Sequence, residues 1–182
     1  MNNRSLRILS IDPGTSYTGI CIADLFSDDI LRVRFVETIN AERLAKHLRD
    51  IEHIYGARYA RILAIGNQLQ HLLELYSPDV IVSEAPFYNP SRPQAYGALV
   101  EVVTMLKTTV CRYNSSLTFV SIDPSTVKKG VGVSGASGDK DLMKLALQKC
   151  NILYEAYLNP NSFDEHSVDA VAVAFGYCKT IN

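Results

Sequence analysis

The segment from Asp79 to Ala85 constrains the fold more than any other part of the chain. Its sequence, DVIVSEA, is an apolar run of strand-forming residues that follows the helix-stopping Ser77 and Pro78. Such a run is typical of a strand at the centre of a parallel or mixed sheet, where both faces are buried. Because helices have to cover both faces, this segment indicates an α/β fold.

Three alternating segments that precede it predict an antiparallel meander. They span Leu6 to Asp12, Gly19 to Ala23 and Arg32 to Thr38, and each is rich in residues that favour strands. A further strand is predicted from Leu117 to Ile122. We therefore expect a mixed five-stranded sheet, with three antiparallel strands followed by two parallel ones, flanked by helices.

Apolar residues at helical spacing predict the layers that cover this sheet. The helices are expected from Ala41 to Tyr76 with a break at Gly56 or Gly66, from Gln94 to Arg112, in a short turn after Asp123, from Asp139 to Cys150, and from about Phe163 to Cys178. The S-F-D-E sequence at residues 162–165 matches a capping box that starts the last helix. With 182 residues, 47% of them hydrophobic, the chain is expected to form one domain over residues 1–182.

General features of the chain exclude several classes of protein. No apolar run approaches the roughly 20 residues that span a membrane, and the N-terminus lacks the apolar region of a signal peptide, so we expect a cytoplasmic protein. The four cysteines form no C-x-x-C pair, which argues against a zinc site or a disulfide framework. Since the net charge is -1, any surface for nucleic acid has to be local.

Two acidic residues close strands that are expected to be neighbours. Asp12 ends the first strand, within I-D-P-G-T at residues 11–15, and Glu84 ends the apolar strand. Adjacent strands of this kind present their carboxyl ends where chain connections diverge, which is the usual place for a site in an open α/β sheet. Either acid alone also fits a loop cap or a partner for a lysine, because buried acids are normally paired or metal-bound.

The last predicted helix adds acidic groups near its start. His166 and Asp169 are three residues apart, and Glu165 and Asp169 are four apart, so either pair can share one face of the helix. Asp164 and Glu165 also suit the positive end of the helix dipole. Asp169 leads the small apolar face of residues 170–175, and we therefore expect it to point inward.

This set of side chains predicts a particular chemistry. Oxygen and nitrogen ligands without cysteines suit a hard cation such as Mg²⁺ or Mn²⁺ better than zinc. Two such ions about 4 Å apart can activate a water and stabilise the leaving oxygen in phosphodiester hydrolysis. The site therefore predicts a nuclease.

The motifs resemble those of the RuvC family of Holliday-junction resolvases, in the RNase H-like superfamily. The similar segments are residues 11–19, 82–87 and 166–174, and the resemblance extends over about residues 6–178. It implies that Asp12, Glu84, His166 and Asp169 form a catalytic, metal-binding tetrad. The implied cofactor is Mg²⁺, for which Mn²⁺ substitutes, with two ions in each active site.

The resemblance also implies further site residues. Lys128 and Lys140 match catalytic lysines that approach the scissile phosphate, with Lys129 as the alternative. Phe87 matches an aromatic residue that enters the junction, and Tyr88 lies beside it in sequence. Stacking of an aromatic side chain on an unpaired base contributes ~1–3 kcal/mol.

Basic residues and one helix are expected to complete the interaction with DNA. Arg92, Lys129 and Lys144 are predicted contacts, within a predicted stripe of seven basic residues: Arg92, Lys107, Arg112, Lys128, Lys129, Lys140 and Lys144. The helix from Gln94 to Arg112 resembles the family's dimer interface. It implies a homodimer with two active sites on opposite strands of a symmetric junction.

The implied activity is an endonuclease of DNA recombination and repair. It would resolve four-way junctions by paired symmetric nicks that leave 5′-phosphate and 3′-hydroxyl ends. One alternative is an ATP-binding domain of the actin and sugar-kinase type, in which a D-x-G-T turn contacts nucleotide phosphates, although those proteins need two such domains. The other is an inactive relative that binds branched DNA.

Overall fold

The computed structural model describes residues 5–91, 93–133 and 140–181, apart from the side chains of residues 140 and 141. Its strands are β1 Leu6–Asp12, β2 Tyr17–Leu25, β3 Leu31–Asn40, β4 Val80–Glu84, β5 Thr118–Ile122 and β6 Ile152–Tyr154. Its helices are α1 Ala41–Ala45, α2 Arg49–Tyr55, α3 Ala57–Tyr76, α4 Pro93–Tyr113, α5 Pro124–Gly130, α6 Lys140–Leu147 and α7 Glu165–Ile181, with a 3-10 turn at Pro160–Ser162.

The strands form one mixed sheet in the order β5-β4-β1-β2-β3-β6. The β1–β2 and β2–β3 pairs are antiparallel, whereas β4 pairs in parallel with both β1 and β5. This arrangement confirms the predicted antiparallel meander and the predicted adjacency of the strands that end in Asp12 and Glu84. It places the carboxyl ends of β1 and β4 side by side.

The predicted count of five strands was one too low. The sixth strand, β6, has three residues and pairs in parallel with Leu31–Val33 of β3. A segment this short carries no readable periodicity, because its strand conformation depends on pairing with residues more than a hundred positions away.

Two hydrophobic layers enclose the sheet. One contains Ile8, Val82 and the apolar face of α7, together with Val127 of α5. The other contains Leu9 and residues of α3 and α4. Ile8 and Leu9 are consecutive in β1 and point to opposite layers, and Ile81 and Val82 of β4 do the same. Both strands are therefore buried on both faces, which confirms the prediction for β4.

The long helical region after β3 divides where a glycine allows it. Gly56 has a φ of 87° and separates α2 from α3, which confirms one of the two predicted break points. Gly66 lies inside α3 instead, where an added Cβ would stand 3.0 Å from Cγ of Met105. The second glycine therefore allows close packing of α3 on α4. A further interruption separates α1 from α2.

None of the helices in the described ranges combines the length and the apolar character of a membrane-spanning segment.

A buried carboxylate organises the end of the sheet opposite to Asp12. Asp24, in β2, has a side chain that is 1% exposed, and its two oxygens accept hydrogen bonds from Nε of Arg7 at 2.9 Å and from Nε of Arg34 at 2.8 Å. Burial by itself favours a higher pKa for Asp24, but the two guanidinium groups lower the pKa below its ordinary value. This network ties β1, β2 and β3 together.

The Asp24→Asn variant is expected to be less stable than the wild type. The amide can accept from one arginine but turns a donor toward the other, so we expect a loss of about 1–3 kcal/mol in the free energy of unfolding. Urea denaturation followed by circular dichroism measures this loss. The matched control is Asp28→Asn in the exposed turn after β2, which should unfold like the wild type; equal stability of the two variants would contradict the assignment.

Candidate active site

The turn after β1 fixes the position of Asp12. An added Cβ on Gly14 would lie 2.0 Å from the carbonyl oxygen of Tyr17, so only glycine permits this close turn. The Thr18 hydroxyl donates a hydrogen bond of 2.8 Å to the Gly14 carbonyl and closes the turn. The Asp12 side chain, 14% exposed, is held at the end of the strand.

Glu84 ends β4 beside Asp12. The last pair between these strands is Ile11 with Ser83, so the two acids follow one position later at the same edge of the sheet. The pKa of Glu84 is raised to about 7, first by burial and then by the nearby charges of Asp12 and Asp169. Glu84 is therefore a carboxyl group that this fold makes costly to ionise.

The first turn of α7 lies directly on the sheet. An added Cβ on Gly19 would meet the His166 carbonyl oxygen at 2.0 Å, which explains why a glycine is required there. The predicted capping box at residues 162–165 was misplaced, because Asp164 and not Ser162 caps this helix. Its Oδ1 accepts a hydrogen bond of 2.9 Å from the Ser167 amide. The helix begins at Glu165, two residues later than predicted.

His166 joins the acids through a direct contact. Its Nδ1 lies 2.9 Å from Oδ2 of Asp12, and since a carboxylate only accepts, the ring nitrogen donates. The hydrogen bond to Asp12 raises the pKa of His166 above its ordinary value, against the opposing effect of burial. Glu165, the alternative to His166 in the sequence, lies 3.8 Å from the Nε2 atom of His166 and is 43% exposed.

Asp169 lies one turn further along α7, partly buried and facing the same group. The pKa of Asp169 is raised to about 6, first by burial and then by the charge of Asp12, while His166 and Lys128 act in the opposite direction. The expectation that Asp169 points inward agrees with this environment. The structure thus brings Asp12, Glu84, His166 and Asp169 to one edge of the sheet.

Tyr17 is a neighbour of this group that the sequence did not reveal. Its ring stacks on the His166 imidazole, with centroids 5.7 Å apart and an angle of 17° between the planes. Tyr17 starts β2, and its contact is with a residue of the last helix, so nothing local in the sequence signals the pair. The stack restricts the orientation of the His166 ring.

Lys128 is placed toward the acids by the packing of α5 on α7. An added Cβ on Gly130 would stand 2.8 Å from Cα of Gly176, so these helices touch through their backbones. The charge of Lys128 lowers the pKa of both Glu84 and Asp169, in opposition to the effects of burial. Lys128 therefore lies close enough to the acids to offset part of their charge, and its contact with a phosphate stays a prediction.

The other predicted basic residues lie in several places. Lys129 is exposed on α5, and Nζ of Lys144 donates a hydrogen bond of 2.7 Å to the Asn161 carbonyl. The Lys140 side chain and all of Arg92 lie outside the described residues. Lys107 and Arg112 are on α4, in the layer opposite to α5, so they do not share a face of the sheet with Lys128 and Lys129. The DNA contacts of Arg92, Lys129 and Lys144 stay predictions.

Two aromatic side chains follow Glu84 on an exposed loop. Phe87 is 68% exposed and Tyr88 is 53% exposed. The Tyr88 ring packs edge-on against Tyr96 at the start of α4, with centroids 5.5 Å apart. Phe87 therefore projects from the active-site edge of the sheet, where a bound nucleic acid could contact it.

The chemistry of the four donors fits a divalent cation. Three carboxylates and one imidazole provide the hard oxygen ligands, and one nitrogen ligand, that Mg²⁺ and Mn²⁺ accept. Within the described residues, no three His, Cys, Asp or Glu side chains are already spaced as a metal-binding group. Like charges at one edge repel one another, so small side-chain rotations would be needed to bring them onto an ion. Their role as ligands stays a prediction.

The strand order and the acids at the strand ends define an RNase H-like fold. No protein-family model matches the chain. It is 25% identical over 170 residues to the crossover junction endodeoxyribonuclease RuvC of Dehalococcoides mccartyi strain 195, covering 93% of this chain and 90% of the relative. The RuvC of another strain of that species, BAV1, is 26% identical over 170 residues.

Solved structures show the same fold. The structure of T. thermophilus RuvC in complex with a Holliday junction substrate has a TM-score of 0.69 and 16% identity, covering 96% of each chain. The yeast mitochondrial Holliday junction resolvase Ydc2 has a TM-score of 0.63 and 17% identity, covering 97% of this chain and 85% of that one. Sequence and fold together confirm the resemblance to the RuvC family that the motifs indicated.

The raised pKa values of Glu84 and Asp169 predict an unusual dependence of stability on pH. A carboxyl group with a raised pKa in the folded state stabilises the protein while it is protonated, and this contribution is lost as the pH rises through the folded value. In metal-free buffer, Glu84→Gln and Asp169→Asn are therefore expected to melt above the wild type at about pH 8, and the difference should shrink toward about pH 5. Thermal unfolding followed by circular dichroism measures both.

The exposed Glu74→Gln provides a matched control and should melt with the wild type at either pH. Added Mg²⁺ should raise the melting temperature of the wild type more than that of Glu84→Gln, because the ion offsets the same repulsion. A Glu84→Gln variant that melts below the wild type at about pH 8 would show that the acids do not repel one another.

Proposed function

We propose that this protein is a structure-specific endonuclease that resolves four-way DNA junctions by metal-dependent hydrolysis of phosphodiester bonds. The observation that carries the proposal is the convergence of Asp12, Glu84, His166 and Asp169 at one edge of an RNase H-like sheet. The similarity to RuvC over 93% of the chain supports the choice of branched DNA as the substrate.

In this proposal the carboxylates of Asp12, Glu84 and Asp169, with His166, hold Mg²⁺, for which Mn²⁺ substitutes, as two ions. When bound, the cations would polarise the scissile phosphate and supply positive charge opposite the charge that develops during hydrolysis. The donor chemistry of the site and the mutual repulsion of Glu84 and Asp169 support this assignment, because a cation relieves the repulsion.

Residues of this chain account for the other requirements of the reaction. The hydrogen bond from His166 and the closed turn at Gly14 orient the Asp12 carboxylate. Lys128 faces the acids and would offset negative charge on the phosphate in the transition state. Lys140 is proposed as its partner. The products are expected to carry a 5′-phosphate and a 3′-hydroxyl.

Junction binding is assigned to the loop after β4 and to basic residues near the acids. Phe87 and Tyr88 are exposed, so they can stack on bases that a junction leaves unpaired. Lys129 is an exposed cation on the same helix as Lys128 and would contact a phosphate. Arg92 and Lys144 are proposed as further contacts.

A homodimer through α4 would bring two active sites to one junction. The first half of α4 is largely exposed and carries apolar side chains, including Tyr96 at 36% and Val100 at 37% exposure. A symmetric pair of such helices would bury these side chains. The two sites would then face opposite strands of the junction, which is what paired nicks require.

The alternatives are less well supported. An ATP-binding reading explains the turn at residues 11–15 but gives no role to Glu84, His166 and Asp169. An inactive relative that only binds DNA has no need for acids that the fold holds together at a cost in stability. The similarity to the RuvC of Dehalococcoides mccartyi strain 195 covers 90% of that relative's length, which favours a nuclease over both alternatives.

Cleavage of a labelled four-way junction tests the proposal. With Mg²⁺ present, the wild type is expected to produce paired symmetric nicks in the junction and to leave linear duplex intact. Asp12→Asn should reduce the rate on the order of a thousandfold, since metal-ion stabilisation contributes several kcal/mol. The matched control Asp50→Asn changes an exposed acid of α2 and should cleave normally.

Each contrary outcome has a distinct meaning in this assay. Turnover of ATP without nicking would support the kinase-like alternative. Junction binding without nicks in either metal would support the inactive relative. Equal cleavage by Asp12→Asn and the wild type would show that Asp12 is not part of the active site.

A further inference from the structure

One row of residues runs across the sheet beneath the first turn of α7. Asp12 of β1 pairs with Gly19 of β2, and Gly19 pairs with Thr38 of β3. His166 contacts Asp12 at one end of this row, and its carbonyl lies against Gly19 in the middle. At the other end, Thr38 contacts two residues of the same turn.

Thr38 forms a closed triangle of hydrogen bonds with Asp164 and Ser167. Its hydroxyl donates to Oδ1 of Asp164 at 2.6 Å, and Oγ of Ser167 lies 2.9 Å from the same hydroxyl oxygen. Because Thr38 has one hydroxyl proton and gives it to the carboxylate, Ser167 is the donor in the second bond. The Asp164 carboxylate also accepts the Ser167 amide, so this one contact caps the helix and attaches it to β3.

The two ends of the row hold the first turn of α7 in different ways. At the Asp12 end, the turn is held through His166 and Asp12, which are themselves residues of the proposed active site. At the β3 end, it is held through Thr38, which lies outside that site. The contacts with Thr38 and Gly19 therefore fix the first turn of α7 from outside the proposed active site.

We propose that Thr38 is a positioning residue that sets the placement of His166 and Asp169 against Asp12 and Glu84. His166 and Asp169 follow the cap by two and five residues along one continuous helix, so a shift of the first turn moves both. Displacements of about 1 Å are enough to impair a site of this kind. This inference rests on the proposed function, because it concerns the same acids.

Two substitutions at Thr38 distinguish the effect of its hydroxyl from the effect of its side-chain shape. Thr38→Val keeps the branched side chain and removes the hydroxyl, whereas Thr38→Ser keeps the hydroxyl. Asp24→Asn serves as the control, since it destabilises the opposite end of the sheet and leaves the row intact. The first measurement is NMR of the His166 imidazole in metal-free protein, assigned with a His166 variant. The second is calorimetric titration with Mn²⁺ in the absence of DNA.

We expect Thr38→Val to shift the His166 resonances and to weaken Mn²⁺ binding about tenfold. Loss of a hydrogen bond that orients the ligands without contacting the metal has an effect of this size. Thr38→Ser should stay within about twofold of the wild type, and Asp24→Asn should leave both measurements unchanged while lowering stability. The proposal is overturned if Thr38→Val behaves like Asp24→Asn, or if Thr38→Ser fails as badly as Thr38→Val.

The two measurements keep the two proposals separate. If the wild type binds no Mn²⁺ in a way that depends on Asp12, the metal site of the proposed function fails. The NMR comparison then still decides whether Thr38 positions His166, because it involves no metal and no cleavage. Unchanged His166 resonances in Thr38→Val would overturn the positioning role in that case as well.

Discussion

Helix α7 can approach the sheet closely because small residues line the contact. The buried Ser10 hydroxyl of β1 donates a hydrogen bond of 2.7 Å to the Ala170 carbonyl, and an added Cβ on Gly19 would stand 3.2 Å from Cβ of Ala170. This contact carries Asp169, one residue before Ala170, toward the ends of β1 and β4. The rest of the site depends on it, because Asp12 and Glu84 alone would be two acids at a sheet edge.

Negative charge has opposite effects on stability at the two ends of the central strands. At one end, Asp24 is buried but meets two guanidinium groups, so its charge stabilises the sheet. At the other end, Glu84 and Asp169 face Asp12, and burial with this repulsion raises both of their pKa values. Lys128 offsets the repulsion in part. A fold that keeps such acids together gives up stability at a place where a cation and a phosphate would recover it.

Local patterns in the sequence were sufficient for most of the fold. The bounds of β1 followed from alternation, and the buried strand β4 followed from a continuous apolar run. The order of the elements indicated a mixed sheet, in which Asp12 and Glu84 converge if β4 lies beside β1. The contacts of Tyr17 and Thr38 could not be predicted, since their partners lie at the start of α7, more than a hundred residues away. The three-residue β6 was missed for the same reason.

The proposed site requires that Asp12, Glu84 and Asp169 bind a divalent cation jointly. Diffraction from crystals grown with Mn²⁺, recorded near the manganese absorption edge, locates such ions directly from their anomalous scattering. A strong anomalous peak is expected between these carboxylates, within about 2.0–2.3 Å of their oxygens, and it should be lost in Asp12→Asn. A map without a peak there, or with peaks that persist in Asp12→Asn, would contradict joint binding by these residues.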